Sequence, residues 1–371
     1  MERSTLDRQA ARCRFRRIVV KVGSNVLTRS DGTLDTARMA ALVDQLAALH
    51  RAGVELVAVS SGAVASGRSL IATAHRLDAV SARQLYSAVG QPRLIHRYCE
   101  LFAAQGIVCA QVLATKQDFE TRRHYLNQRN CLRTMLDNGV VPIVNENDTV
   151  AVTELMFTDN DELSGLISTM IGAEALVLLS NVDGICNGAP DDPQAEVIRE
   201  IAAGGAALPE CIRDAKSSFG RGGMRTKCRI ACKVAAEGIE TIIANGRRDG
   251  ILTDLLAEGS RTRCTRFRAS PRPLSGVKKW IAHSEGFAKG ALHLTQAGFE
   301  ALTGPQAASL LPVGVACVEG TYEKDDIVRI IAPDGRVAGA GKAACDSATA
   351  RRDIGHRGAR ALIHYDYLYL D

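Results

Sequence analysis

The sequence predicts an α/β protein: a three-layer αβα sandwich around a mainly parallel sheet, followed by a small β-rich domain. Three observations lead there. From Ile18 to about Leu256, short β-branched runs alternate with Gly-containing or polar loops and helical stretches, the rhythm of strand, crossover and strand. The strand-like runs mostly lack polar alternation, as strands covered on both faces do. Beyond residue 261 helical periodicity fades, and short apolar runs are separated by Gly, Asp and Pro turns.

The first strand is expected over Ile18 to Val22. A crossover helix follows, entered at Asp35 and closed at Gly53, because Met39, Leu42, Val43, Leu46 and Leu49 recur at three- and four-residue spacing. Further strands are expected at Glu55 to Val59, Val108 to Leu113, Val141 to Val144, Ala175 to Leu179 and Thr241 to Ile243. Helices are expected from about Gln128 to Leu136, stopping at Asn138-Gly139, and over Glu162 to Ile171 before Gly172. Arg261, Arg263, Arg266, Arg268 and Arg272, together with Pro271 and Pro273, mark a domain boundary. The β-rich segment then shows runs at Gly314 to Val318, Ile327 to Ile331 and Ala361 to Ile363.

Composition narrows the class. With 371 residues, 46% apolar and 23% charged, the chain can bury a sizeable core, which excludes fibrous and disordered readings. No apolar run approaches the roughly 18 to 20 residues of a membrane span. Lys plus Arg exceed Asp plus Glu by 46 − 41 = +5, too mild for a dedicated nucleic-acid binder. The 11 Cys include no CxxC and no Cys/His cluster, which suits reduced thiols in a cytoplasm. Cys228 and Cys232, spaced as neighbours on a helix, read as packing rather than metal ligands. Although six arginines crowd the first seventeen residues, no apolar segment precedes the first strand, so no targeting peptide is expected.

In open parallel sheets ligands gather beyond the carboxyl ends of the strands, so the residues there carry the functional signal. The first strand runs into Lys21-Val22-Gly23-Ser24-Asn25, a cation beside a Gly turn. The second ends in Ser60-Ser61-Gly62-Ala63, small residues that admit a ligand; the Gly spacing of an esterase nucleophile is absent, so Ser61 reads as a hydrogen-bonding residue. Asn145-Glu146-Asn147-Asp148 follows the fourth strand, and Asp159-Asn160-Asp161 precedes the next helix. Two such acidic-amide clusters suit a polar ligand or a metal better than packing. Gly220-Arg221-Gly222-Gly223-Met224-Arg225-Thr226-Lys227 opens a helix with glycines and a Lys one turn in, a phosphate-binding arrangement. Gly335 to Lys342 fails as a P-loop, with the Gly-to-Lys spacing one too long and Ala343 in place of Ser or Thr, and Arg225 stands where a dinucleotide fingerprint needs its third Gly.

Taken in order, these segments resemble the amino acid kinase family over nearly the whole chain. The pieces that carry the resemblance are Val19 to Thr28, Ser60 to Ala63, Asn145 to Asp148, Asp159 to Ser164 and Gly222 to Lys227. Relatives acting on aspartate or N-acetylglutamate typically have a second Gly where Ser24 stands, so the resemblance points to the branch acting on free L-glutamate. The last segment resembles a PUA domain. The division is then 1–267 for the kinase domain, with 1–16 a flexible extension, 268–287 for a linker and 288–371 for the PUA-like domain.

What the resemblance implies is transfer of the γ-phosphoryl of ATP to the side-chain carboxylate of L-glutamate, the opening step of proline biosynthesis. Lys21 and Lys227 would flank the phosphoryl, Asp161 would hold their ammonium groups, and Gly23 and Gly62 would donate backbone amides. Ser61, Gly62, Asp148 and Asn160 match acceptor-binding positions, Asp148 suiting the α-ammonium. The nucleotide positions are Lys21, Gly23, Ser180, Asn181 and the loop Arg221, Gly222, Gly223, Met224, Arg225, Thr226 and Lys227. Mg²⁺ would sit mainly on nucleotide oxygens and water. The resemblance also implies a cytoplasmic homo-oligomer, dimer or tetramer, with proline as feedback inhibitor and hand-off of the labile product to glutamyl-5-phosphate reductase. Two departures stand out. Ser180-Asn181 replaces a common Thr-Asp, and Thr295-Gln296-Ala297-Gly298-Phe299 replaces the usual Asp-x-Gly-Ala start of the PUA domain. The competing readings are an RNA-binding or regulatory protein on a kinase scaffold, and a kinase with a different acceptor.

Overall fold

Arg17–Val22 forms the first strand (β1), and every residue after Arg17 in it is buried, as a run of β-branched residues without alternation requires. The structure, a computed structural model, describes residues 13–73, 75–151, 157, 159–188, 195–202, 223–271, 278, 280–281, 284, 287–304, 308–356 and 358–370. After β1 come α1 (Ser24–Leu27), α2 (Thr36–Arg51), β2 (Glu55–Ser60), α3 (Ala63–Arg68), α4 (Ala79–Ala103), β3 (Cys109–Ala114), α5 (Gln117–Glu120), α6 (Arg122–Asp137) and β4 (Val141–Glu146). The order continues with α7 (Asn160–Ile171), β5 (Ala175–Ser180), β6 (Glu200–Ile201), α8 (Met224–Ala236), β7 (Glu240–Asn245), α9 (Ile251–Leu256) and β8 (Thr265–Phe267).

These strands make an eight-stranded sheet in the order β3-β4-β2-β1-β5-β7-β8-β6. All neighbours are parallel except β7 and β8. Side chains alternate across the sheet. Ile18, Val20 and Val22 join the core that holds α2 and α9. Val19 and Lys21 therefore face the other side, where α7 packs on β1 and β5. That alternation is what aims a lysine at a helix.

The expected helix starts and stops are largely present. The Asp35 side chain accepts the Arg38 amide at the head of α2, and Gly172 closes α7 in the left-handed conformation. The sequence reading differs from the structure in three places. The 25-residue α4 was not expected, because Gly90 and Pro92 interrupt its pattern. The α6 helix begins at Arg122, about six residues before the expected start, since its first turns carry few apolar residues. The Arg-rich stretch holds a strand the sequence reading did not include, β8, in which Thr265 and Phe267 are buried and Arg266 pairs with Glu240 at 3.0 Å.

The chain divides into two units, Met1–Asp118 with Arg123–Pro273, and Phe119–Arg122 with Leu274–Asp371. The second contains β9 (Gly290–Leu294), α10 (Gln296–Thr303), β10 (Val315–Gly320), β11 (Ile327–Ile331), β12 (Val337–Lys342), α11 (Ser347–Asp353) and β13 (Leu368–Leu370). Its five strands run in the order β10-β9-β11-β12-β13, around a core that includes Leu292, Leu310, Val328 and Ile363. Ala361 to Ile363 is not a strand; Ile363 makes only an isolated bridge to Leu310. Among the described residues no helix is long and apolar enough to cross a membrane.

Candidate active site

The parallel register brings the ends of β1, β2, β4 and β5 to one edge of the sheet, and the loops beyond them form the site. Lys21, next to last in β1, lies opposite Val59 of β2 and Leu178 of β5. Its ammonium stands 2.7 Å from Oδ1 of Asp161, and the ammonium of Lys227, from the first turn of α8, donates to Oδ2 at 2.9 Å. Asp161 is wholly buried and Lys21 is 5% exposed, so these charges face one another in a low-dielectric setting. Although burial alone would raise it, Lys21 and Lys227 hold the Asp161 carboxyl below the usual carboxylate range.

Asp161 is fixed by its helix. Asp159 caps α7, its Oδ1 accepting the amides of Asp161 and Glu162 at 2.9 and 3.1 Å. The other oxygen of Asp159 is buried with no hydrogen-bond partner. Burial and the neighbouring Asp161 push the Asp159 carboxyl up to about 6. Asp161 balances one of the two ammonium charges, leaving the second for Asp159 or for an anion that arrives between the lysines.

Asn160 connects this triad to the second cluster. Its amide nitrogen donates to Ser61 Oγ at 3.0 Å, to Asn145 Oδ1 at 3.0 Å and to the Ser60 carbonyl at 3.1 Å. Gly62, at φ 107°, turns the chain from β2 into α3, a conformation that favours glycine. Asp148 and Glu146 are both buried, and both accept from the guanidinium of Arg83, Asp148 Oδ1 from Nε at 2.7 Å and Glu146 Oε2 from an Nη at 2.7 Å. Burial and the adjacent Asp148 push the Glu146 carboxyl up to about 7.

The structure thus brings Lys21, Asp161 and Lys227 together and joins Asn160 to Ser61, while Asp148 pairs with Arg83. One expectation is corrected: the Gly23 amide donates to the Leu179 carbonyl at 3.2 Å, so sheet geometry has already engaged it. What Gly23 contributes is a missing Cβ, which would lie 3.1 Å from that carbonyl and 3.6 Å from the Lys21 ammonium. Gly223 caps α8, whose first residues are Met224, Arg225, Thr226 and Lys227, whereas Arg221 and Gly222 lie outside the described residues. Ser180 ends β5 and donates to Asn181 Oδ1 at 3.4 Å.

Sequence reasoning passed over two residues here. Arg83 has no spacing signal that connects it to Asp148, 65 positions away. Asp183, two positions after Asn181, accepts from Asn245 at 3.0 Å and from Arg248 at 2.5 Å, so its carboxylate ties the loop after β5 to the one after β7.

Residues 16–245 match the model of the amino acid kinase family, and residues 296–364 match the PUA domain. The chain belongs to the amino acid kinase family. It is 61% identical to the glutamate 5-kinase of Bacteroides thetaiotaomicron over 357 residues, 96% of this chain and 99% of that one. Identity to the glutamate 5-kinase of Chlorobaculum tepidum is 49%, covering 96% and 98% of the two chains. To that of Salmonella arizonae it is 38%, covering 94% and 95%. In this kinase the eight-stranded sheet is the family's α/β fold, and the second unit carries the PUA domain.

Proposed function

We propose that this kinase transfers the γ-phosphoryl of ATP to the side-chain carboxylate of free L-glutamate, giving glutamyl 5-phosphate and ADP, the first step of proline biosynthesis. The observation that carries the reading is the buried pair of ammonium groups on opposite oxygens of Asp161. Phosphoryl transfer is largely positioning and charge neutralisation, because negative charge spreads over the phosphoryl oxygens in a loose transition state. Two lysines pre-set by one carboxylate meet that charge without reorganising. The acceptor oxygen attacks the γ-phosphorus while the bond to the β-phosphate oxygen breaks and ADP leaves. No base is needed, since the acceptor carboxylate is already ionised at neutral pH.

The acceptor is assigned to the neighbouring cluster, with Ser61, Gly62 and Asn160 toward its polar groups and Asp148 toward its α-ammonium. ATP is assigned to Lys21, Gly23, Ser180, Asn181 and the Arg221 to Lys227 segment. Among the described residues no group of three or more His, Cys, Asp or Glu side chains is arranged to hold a metal ion, and both oxygens of Asp161 already face ammonium groups. Those residues fit a Mg²⁺ carried on phosphate oxygens and water, where it would neutralise charge between the β- and γ-phosphates. Family likeness further supports a cytoplasmic homo-oligomer, proline as inhibitor and hand-off to a reductase.

The test is acyl phosphate trapping by hydroxylamine with Mg-ATP and, in parallel, glutamate, aspartate and N-acetylglutamate. Hydroxamate from glutamate alone is expected. Hydroxamate from another acceptor instead would reassign the pocket.

A further inference from the structure

The turn after β1 leads into α1, a single helical turn with little of its own to hold it in place. Its cap, Gly23, offers no side chain to the first amides, and an α-helix leaves its last four carbonyls without partners in the helix, which in α1 is all of them. The loop after β7 supplies what is missing. The guanidinium of Arg247 donates twice to the Asn25 carbonyl, at 2.8 Å through an Nη and at 3.2 Å through Nε. Gly246 lies so close to α1 that a Cβ there would come within 2.9 Å of a Val26 methyl and 3.0 Å of the Leu179 side chain. This loop is itself fixed. The Gly246 amide donates to the Ser180 carbonyl at 2.8 Å, the Arg247 amide to Asn245 Oδ1 at 3.0 Å, and Asn245 Nδ2 to Asp183 Oδ1 at 3.0 Å.

The charged residues of this loop differ in what they hold. Asp249 pairs with Arg38 of α2 at 2.9 Å, and Arg248 pairs with Asp183 at 2.5 Å, both ion pairs between neighbouring segments. Arg247 forms no ion pair among the described residues; its side chain is given to a main-chain carbonyl of α1, so it fixes backbone. Two residues before Asn25, the Gly23 amide donates to the Leu179 carbonyl at 3.2 Å, and a Cβ at Gly23 would lie 3.6 Å from the Lys21 ammonium. A shift of α1 would therefore carry the turn against Lys21. We propose that Arg247 is a positioning residue for the nucleotide, holding α1 and the Gly23 turn where they receive ATP beside Lys21. This rests on the proposed function, since that reading assigns ATP to Lys21 and Gly23. Arg247 acts through the Asn25 carbonyl. In the sheet order, β7 lies beyond β5 on one side of β1, whereas Ser61 and Asp148 follow β2 and β4 on the other. The effect of Arg247 should accordingly fall on ATP and spare glutamate.

The experiment compares full-length wild-type protein, Arg247→Leu and Arg247→Lys. Mg-ATP affinity is read by isothermal titration calorimetry, KM for ATP and for glutamate by hydroxamate formation, and the melting temperature on each preparation. Because Arg247 is exposed, both substitutions should leave the fold intact. Arg247→Leu keeps an apolar stem and removes every donor; it is expected to weaken Mg-ATP binding and raise KM for ATP roughly fivefold or more, with KM for glutamate within about twofold. Arg247→Lys retains a cation that can donate to the same carbonyl and should recover most of the loss. A Lys variant as weak as the Leu variant, KM values for ATP and glutamate that rise together, or a melting temperature that falls while ATP affinity holds would make Arg247 a structural tie and overturn the proposal. A wild-type protein that binds Mg-ATP but forms no hydroxamate from glutamate would instead overturn the function on which it rests, and the calorimetry would still decide the role of Arg247.

Discussion

Lys227 donates from its ammonium to Oδ2 of Asp161 at 2.9 Å, across 66 positions of sequence, on the opposite side of the carboxylate from Lys21. Because the carboxylate is fully buried between the two ammonium groups, neutralising it removes the charge that both of them face. Asp161→Asn is expected to lower kcat by roughly 10²- to 10³-fold and to destabilise the fold by about 3 kcal/mol or more. Steady-state rates and denaturant melts on the same preparation check both. A variant with normal rate but lowered stability would make the triad a structural tie.

Asp159 gives a pH signature. Its carboxyl is raised to about 6, so the folded state holds that proton more tightly than the unfolded chain does. The resulting stabilisation is present below about pH 4 and is lost as pH rises through about 6. Asp159→Asn keeps an oxygen to cap α7 but does not titrate. It should therefore gain stability relative to wild type between about pH 4 and 7, by roughly 2 to 3 kcal/mol at full ionisation. Melting temperatures at both ends of that range decide it, and a difference independent of pH would contradict it.

The crossing of α3 and α4 depends on two glycines. A Cβ at Gly90 would lie 1.8 Å from the Ala63 carbonyl oxygen and 2.4 Å from the Gly67 nitrogen, both backbone atoms that cannot swing aside. Gly90→Ala should cost about 2 kcal/mol or more and, because α3 begins directly after Ser61 and Gly62, raise KM for glutamate. Thermal melts together with glutamate saturation test this, and an unchanged melting temperature would refute the close approach.

Thiol reactivity should follow burial. Cys109 lies with its sulfur 3.5 Å from that of Cys99, and burial, then its hydrogen bond with Cys99, pushes it up to about 12. Cys131 and Cys317 are exposed. At about pH 8, iodoacetamide should label the exposed pair at least tenfold faster than Cys109, since only the thiolate reacts. Peptide mass spectrometry over a time course gives the order.

Much of the fold was legible because buried parallel strands write themselves as apolar runs, and Lys21, Ser61, Asp161 and Lys227 sit in motifs just beyond or before such elements. The 25-residue α4 was not, since its Gly90 and Pro92 are the residues that usually end helices, and here Gly90 serves helix contact instead. Nor was β8, a three-residue strand inside an arginine run. Arg83 was invisible for a different reason: a lone arginine in a helix carries no local trace of carboxylates brought to it by the sheet. The Gly23 amide marks a limit of motif reasoning, because a Gly turn beside a strand carries no trace of the hydrogen bond this amide makes to Leu179.

The most direct test of the triad is hydroxamate trapped from L-glutamate and Mg-ATP by wild-type protein and by Lys227→Ala, run side by side with both shown folded by their melting curves. The account predicts product from the wild type and a loss of about 10²-fold or more in the variant. Equal product from the two would contradict it.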